Sequence, residues 1–183
     1  QIDSLRAIAV IAVVFFHFEL LSFSGGFIGV DIFYVISGYL FTSIIISNTK
    51  NKKFNLIDFY LRRVRRILPL LYIIIFAVLI LGLFIFNSLH YDRLIESSFS
   101  AITFVSNNFF TSEVGYFDNN KIFKPLLHTW SLSVEIQFYL IWPLIVFYSY
   151  KIFKEKFLIP IFFIFCFSFF LSIILTPRFE GYF

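Results

Sequence analysis

Five apolar stretches, each close to 20 residues long, constrain this chain more than any other feature of its sequence. They run over about residues 5–23, 27–46, 68–86, 131–150 and 157–175. A helix needs about 20 apolar residues to cross the roughly 30 Å hydrocarbon core of a bilayer, where all backbone polar groups must be bonded internally. The sequence therefore predicts an all-α integral membrane protein, a polytopic helix bundle with about five spans.

The composition agrees with a membrane location. Hydrophobic residues make up 60% of the 183 residues and charged residues 14%, whereas a soluble domain is nearer half apolar. The single cysteine, Cys166, stands in an apolar run, so the sequence offers neither a disulfide framework nor a cysteine-based metal site. The first apolar stretch lacks a small-residue cleavage site, so we expect no cleavable signal peptide. Because the sequence begins at Gln1 without a methionine and ends in TPRFEGYF without a polar tail, we interpret the chain as a fragment of a longer protein.

Basic residues orient the predicted spans. The segment 50–66 holds seven Lys or Arg residues against the single acidic Asp58, which is typical of a cytoplasmic loop. Three lysines after the fourth stretch, Lys151, Lys154 and Lys156, indicate a second cytoplasmic loop. The N-terminus is then cytoplasmic. Because this basic cluster is tied to a membrane boundary, nucleic-acid binding is excluded.

Two helical segments are expected around the third stretch. Apolar residues in 56–67 have the spacing of an amphipathic helix at the membrane interface, and Pro69 then stands in the first turn of the span that starts at Leu68. Residues 87–124 are expected to form an external loop with a short, partly inserted helix over 99–110.

The first stretch carries two polar residues that a membrane helix does not need. Arg6 and His17 are eleven positions apart, which at 3.6 residues per turn places both on nearly one face. Histidine titrates near neutral pH and suits a general base that takes a proton from an alcohol. The alternatives are an arginine that anchors the helix at the headgroups and a histidine that only packs.

Asp31, near the start of the second stretch, is a further intramembrane candidate, and Ser37 and Gly38 are expected to let two helices approach closely.

Four arginines follow one another closely in FYLRRVRRILP, at Arg62, Arg63, Arg65 and Arg66. Their spacing of three and four places pairs of them on shared helix faces. Arg binds phosphate through a bidentate fork, whereas Lys acts as a point charge, so the choice of Arg at all four positions indicates a phosphorylated ligand. The alternative is that they only set the topology and bind anionic lipid.

The segment PLLHTWSLSVEIQFYLIWP, residues 125–143, holds another intramembrane carboxylate. His128 and Glu135 are seven positions apart and share a helix face, with Trp130 and Ser131 between them. The aromatic residues alone are explained by an interfacial belt, but a belt does not require a glutamate inside the membrane.

These motifs, in this order and at these distances, resemble acyltransferase family 3 over essentially the whole chain. The resemblance implies a bundle of about ten membrane helices, of which this chain is the N-terminal half. It also implies transfer of an acyl group, commonly acetyl from acetyl-CoA, to a hydroxyl of a surface carbohydrate.

Several residues match the motifs of the family. Arg6 and His17 match its first-helix arginine and histidine, and His17 would be the catalytic base. The family's RxxR element matches either Arg62 with Arg65 or Arg63 with Arg66, and its glycine pair matches Gly25 and Gly26. Trp130, Ser131 and Glu135 match its WSLxVE element, but Ile136 stands where the family usually has a second glutamate.

The mechanism expected from this resemblance uses acyl-CoA as donor, a carbohydrate as acceptor and no metal, in the bacterial inner membrane in contact with its lipids. The arginine cluster would hold the CoA phosphates, and His17, oriented by Asp31 or Glu135, would deprotonate the acceptor. Arg6 would stabilise the oxyanion or hold the pantetheine end of the donor. The rival interpretations are a proton-coupled transporter or lipid-linked flippase, whose intramembrane charged residues would relay protons, and an inactive truncated fragment.

Overall fold

A computed structural model describes residues 2–18, 25–113 and 124–175 of the chain. The described part contains α-helices, one short 3-10 turn and no strand. The helices are α1 (Ile2–His17), α2 (Ile28–Lys50), α3 (Leu56–Ile85), α4 (Ser88–Ile102), α5 (Ser106–Glu113), α6 (Thr129–Phe153) and α7 (Leu158–Leu175), and the 3-10 turn Lys154–Lys156 follows α6. Four of these segments are long and apolar enough to cross a membrane: α2, α3, α6 with its 3-10 turn, and α7. The prediction of an all-α membrane bundle is therefore confirmed.

Helix α1 is shorter than the first predicted span. It has 16 residues, so it extends about 24 Å, whereas the prediction for this span continues to residue 23. Residues 19–23 of that span lie outside the described residues.

The chain divides into two compact units, Gln1–Phe54 and Asn55–Phe183. In the first unit, α1 and α2 pack through small residues. A Cβ atom added to Gly29 would lie 2.5 Å from the carbonyl oxygen of Ala9, and one added to Gly26 would overlap the carbonyl of Ala12. Gly26 contacts Ala12, whereas Gly29, which is later in the chain, contacts the earlier residue Ala9. The two helices are therefore antiparallel. The two helices thus approach closely at Gly26 and Gly29. The close approach predicted at Ser37 and Gly38 stays a prediction.

The predicted pair of small residues, Ser37 and Gly38, lies near the middle of α2. Ser37 is buried, and the carbonyl oxygen of Gly38 accepts a hydrogen bond from the Thr42 hydroxyl at 2.7 Å. Hydroxyl groups that bond back to the preceding turn are satisfied without leaving their own helix.

In the second unit, α3 is one continuous helix of 30 residues. The side-chain oxygen of Asn55 caps it by accepting a hydrogen bond from the backbone N–H of Ile57 at 2.9 Å. Pro69 lies inside this helix, so the two separate segments predicted here are a single element. Proline removes only one bond of the helical ladder, that to the carbonyl of Arg65, and the apolar residues on both sides favour helix in a bilayer.

A core joins α3 to α4, α5 and the start of α6. Its buried members are Leu71, Ile75, Leu94, Ala101, Phe110 and Leu126. The segment 99–110, which was predicted to be one short helix, is broken by a turn in which Phe104 has a φ of 57°. Helix α7, by contrast, buries none of its side chains against the described part of the chain.

The two neighbouring glycines before α2 offer a matched test of the α1–α2 contact. We expect Gly26→Ala to destabilise the protein by about 1–3 kcal/mol, because its new methyl group overlaps the Ala12 carbonyl and the Phe16 side chain. Gly25→Ala is the control, since a Cβ atom there has nothing within 4 Å. Thermal unfolding in detergent measures both, and equal melting temperatures for the two variants would contradict this packing.

Candidate active site

The hydrogen bond of His17 determines which of its ring nitrogens accepts a proton. His17 is the last residue of α1, and its side chain is exposed. Its Nδ1 lies 2.8 Å from the carbonyl oxygen of Val13, one turn earlier. A carbonyl oxygen only accepts hydrogen bonds, so Nδ1 carries the hydrogen and Nε2 of the neutral ring keeps its lone pair. The exposed Nε2 is therefore placed to take a proton from another molecule.

Arg6 stands about three turns before His17 on the same helix and is half-buried. Its Nε is shielded from solvent and has no hydrogen-bond partner among the residues that the structure describes. Asp31 lies in the first turn of α2 with an exposed side chain, where a carboxylate is favoured by the helix dipole. In the described part of the chain, neither a hydrogen bond nor an ion pair joins Asp31 to His17. No direct contact between these two described residues therefore supports the hypothesis that Asp31 orients the His17 ring.

In the second unit, Glu135 and one arginine of the cluster belong to the same group of side chains. The hydroxyl of Tyr139, one turn along α6, donates a hydrogen bond to the Glu135 carboxylate. The guanidinium carbon of Arg63 lies 6.0 Å from the centre of the Tyr139 ring. Tyr139 is only 7% exposed, and it lies near both the carboxylate and the guanidinium. In the sequence, Glu135 and Arg63 belong to two separate motifs, and the aromatic residues near Glu135 are explained by an interfacial belt.

Arg63 is held by its own helix as well. Its guanidinium carbon stacks 3.3 Å above the centre of the buried Phe59 ring, and its Nη1 donates a hydrogen bond to the Phe59 carbonyl at 2.8 Å. The side chain of Arg63 is half-buried, whereas those of Arg62, Arg65 and Arg66 are exposed. The structure therefore divides the four arginines into one that turns inward and three that remain accessible to a ligand.

A small cleft lies between α3 and α6 beside Arg63. Its volume is about 100 Å³, and it is lined by Tyr60, Arg63, Val64, Ile67, Leu68, Phe104, Ile136, Tyr139 and Leu140. The hydroxyl of Tyr60 donates a hydrogen bond to the carbonyl of Leu140 at 2.8 Å and ties the two helices together at the cleft. Ile136, the position at which the sequence departs from the family pattern, is part of this lining.

A buried polar seam, which the sequence analysis missed, joins α5 to α6. Three hydroxyl groups form its centre: that of Ser106 lies 2.7 Å from that of Ser133, and that of Thr129 donates to Ser106 at 3.1 Å. Gln137 continues the seam by donating to the Phe104 carbonyl at 2.9 Å and to the Asn107 side chain at 3.1 Å. The spacing of four between Thr129, Ser133 and Gln137 is the signal that predicts one polar helix face.

The residues before Glu135 form the first turn of α6. Ser131 donates a hydrogen bond from its hydroxyl to the His128 carbonyl at 3.0 Å, and both His128 and Trp130 are exposed. Among the described residues, no group of three or more His, Cys, Asp or Glu side chains is arranged to hold a metal ion.

Comparison with known proteins places the chain in a family. A family profile described as an acyltransferase domain matches residues 1–183, the whole chain. The chain belongs to acyltransferase family 3. The resemblance inferred from its motifs is thereby confirmed.

Two relatives are similar to this chain in sequence. The chain is 44% identical to peptidoglycan O-acetyltransferase OatA of Listeria monocytogenes over 145 residues, which are 78% of this chain and 23% of that protein. It is 41% identical to O-acetyltransferase OatA of Staphylococcus aureus over 165 residues, 89% of this chain and 27% of that protein. The chain thus spans about a quarter of the length of these relatives. No solved structure matches it.

The contact between Tyr139 and Glu135 predicts a measurable loss of stability. Tyr139→Phe removes a hydrogen bond to a carboxylate, which is worth about 1.5–3 kcal/mol, and the melting temperature in detergent is expected to fall accordingly. Tyr148→Phe is the control, because that tyrosine is on the same helix but 51% exposed. A Tyr139→Phe variant as stable as Tyr148→Phe would show that the hydrogen bond contributes nothing.

Proposed function

We propose that the chain is part of a membrane O-acyltransferase that moves an acyl group from acyl-CoA to a hydroxyl of cell-wall peptidoglycan. The acyl group that we propose is acetyl. Membership of acyltransferase family 3 supports the reaction class, and the names of the two relatives support acetyl as the acyl group. The name of the Listeria monocytogenes relative supports peptidoglycan as the acceptor. The observation that carries the mechanism is the hydrogen bond from His17 to the Val13 carbonyl, because it leaves Nε2 as the proton acceptor.

The proposed chemical step is a direct transfer between the two substrates. Nε2 of His17 takes the proton of the acceptor hydroxyl, and the oxygen attacks the carbonyl carbon of the thioester. A C–O bond forms, the C–S bond breaks, and the proton leaves with the CoA thiolate as a thiol. The half-buried guanidinium of Arg6 stands about three turns, roughly 16 Å, from His17 along the same helix, so it is better placed to hold the pantetheine end of the donor than to contact the reacting carbonyl.

The donor is proposed to bind at the arginine cluster on the cytoplasmic side. Arg62, Arg65 and Arg66 are exposed, so their guanidinium groups are free to form bidentate contacts with the phosphates of CoA. The basic residues from the end of α2 to the first turns of α3 support a cytoplasmic location for these ends of the two helices and for the N-terminus. The bacterial relatives support a location in the inner (cytoplasmic) membrane of a bacterium.

Removing the base tests this mechanism in the intact protein. We expect His17→Ala to lower the rate of acetyl transfer about 10²–10⁴-fold, since that is the usual contribution of a positioned general base. His90→Ala is the matched histidine control and should transfer acetyl at the wild-type rate. Wild-type transfer by His17→Ala would exclude His17 as the base.

The phosphate site is tested by changes that keep the charge. Replacing Arg62, Arg65 and Arg66 together by Lys is expected to weaken CoA binding about tenfold or more, because Lys cannot form the bidentate contact. Arg93→Lys is the control, since Arg93 pairs with Glu96 on α4 at 3.6 Å. Calorimetry with CoA measures both, and unchanged affinity in the triple variant would assign these arginines to topology or lipid contact.

A further inference from the structure

We propose that Phe16 is a positioning residue for the proposed base, because it holds the His17 ring in the orientation in which Nδ1 bonds to the Val13 carbonyl and Nε2 accepts a proton. This inference rests on the proposed function and adds to it a residue that acts through His17. Phe16, His17 and their contacts belong to the same unit of the chain.

The His17 ring is held only weakly by its own helix. His17 is the last residue of α1, and one hydrogen bond of 2.8 Å joins its Nδ1 to the Val13 carbonyl. Helix ends fray, and a neutral hydrogen bond that replaces a bond to water stabilises an arrangement only modestly. A general base must nevertheless keep its nitrogen within hydrogen-bond reach of the proton that it abstracts. A second contact is therefore required to keep the ring in place.

The ring of Phe16 makes this second contact. Its centre lies 5.5 Å from the centre of the His17 ring, and the two ring planes are at 88° to each other. Edge-to-face packing of this kind is a geometry that aromatic pairs prefer, and it stabilises them beyond the apolar area that they bury. Because the Phe16 ring lies beside the imidazole, it restricts the rotation that would break the bond to Val13.

Phe16 is itself fixed by the neighbouring helix. Contacts between consecutive aromatic residues recur in this chain, as at Phe109 and Phe110, but Phe16 also contacts Phe27, the residue immediately before α2. The centres of these two rings are 5.9 Å apart, with 68° between their planes. A Cβ atom added to Gly26 would lie 2.7 Å from the Cβ atom of Phe16, so a larger residue there would displace Phe16. The packing of α1 on α2 therefore fixes the ring that contacts His17.

The 15N NMR spectrum of the His17 ring tests the inference without measuring activity. The intact protein is labelled with 15N-histidine at a pH at which the ring is neutral, and the His17 signals are those that His17→Ala lacks. While the bond to Val13 is in place, Nδ1 carries the hydrogen and one tautomer is expected. We expect Phe16→Leu to give a mixture of tautomers, whereas Phe16→Tyr keeps the aromatic ring and the single tautomer.

The rate of acetyl transfer tests whether this orientation matters for the reaction. Phe16→Leu is expected to lower kcat about three- to tenfold, which is what an aromatic contact of this kind is worth, and to leave the KM for acetyl-CoA unchanged. Phe16→Tyr should transfer at the wild-type rate. Phe18→Leu is the matched control, because Phe18 adjoins His17 on its other side and is 72% exposed, and its kcat should also equal that of the wild type.

A double-mutant cycle separates positioning from packing. If Phe16 acts through the His17 ring, Phe16→Leu has no further effect on the residual transfer of His17→Ala, because the ring is already absent. Phe27→Leu guards against misfolding of α1, since it leaves that helix unchanged and removes a support of Phe16. Its kcat should fall about twofold, a smaller loss than that of Phe16→Leu because the contact with His17 is kept.

The outcomes distinguish the positioning role from the proposed function. An equal loss of rate from Phe16→Leu in the wild-type and His17→Ala backgrounds would show that Phe16 only packs α1 on α2 and would overturn the inference, while the proposed function stands. A single tautomer or an unchanged kcat in Phe16→Leu would overturn it as well. If His17→Ala transfers acetyl at the wild-type rate, His17 is not the base, and both proposals fail.

Discussion

A polar group that lies in hydrocarbon without a hydrogen-bond partner costs several kcal/mol, and this constraint shapes the whole chain. It explains why the described backbone is helical and why hydroxyl groups bond to the preceding turn of their own helix, as Thr42 does to Gly38. His17 follows the same rule, since its Nδ1 bonds to the Val13 carbonyl one turn earlier. The bond that satisfies the imidazole inside its own helix also determines that Nε2 is its basic nitrogen.

The same constraint organises the second unit. Polar side chains that cannot all be satisfied within one helix bond to a neighbouring helix, as Ser106 does to Ser133 between α5 and α6. The Tyr139 hydroxyl satisfies the Glu135 carboxylate, and the Tyr139 ring faces Arg63 on α3. A rigid polar framework therefore stands beside an apolar cleft, which is the combination that small-molecule sites usually show.

The sequence predicts the parts of this structure that depend on apolar length and on local chemistry. The all-α membrane fold and the motifs of acyltransferase family 3 are of this kind, because a run of about 20 apolar residues or an arginine cluster is visible without knowing what packs against it. The break at Phe104 and the continuity of α3 through Pro69 depend on tertiary context, so the sequence misses them. The contacts of Gly29 with α1 and of Tyr139 with Arg63 were missed for the same reason. The depth of the helices in the membrane and the roles of Arg6, Asp31 and Glu135 stay predictions.

Chemical rescue measures the central claim, that His17 acts as a base rather than as a packing residue, most directly. In a His17→Gly variant of the intact protein, acetyl transfer to the carbohydrate acceptor is followed as imidazole is added. His17 is the last residue of α1, and free imidazole is small enough to occupy the space that its ring leaves. If His17 is the base, transfer is lost in the variant and returns with increasing imidazole. Loss of transfer that imidazole does not restore, in a variant that is folded and binds CoA normally, would contradict it.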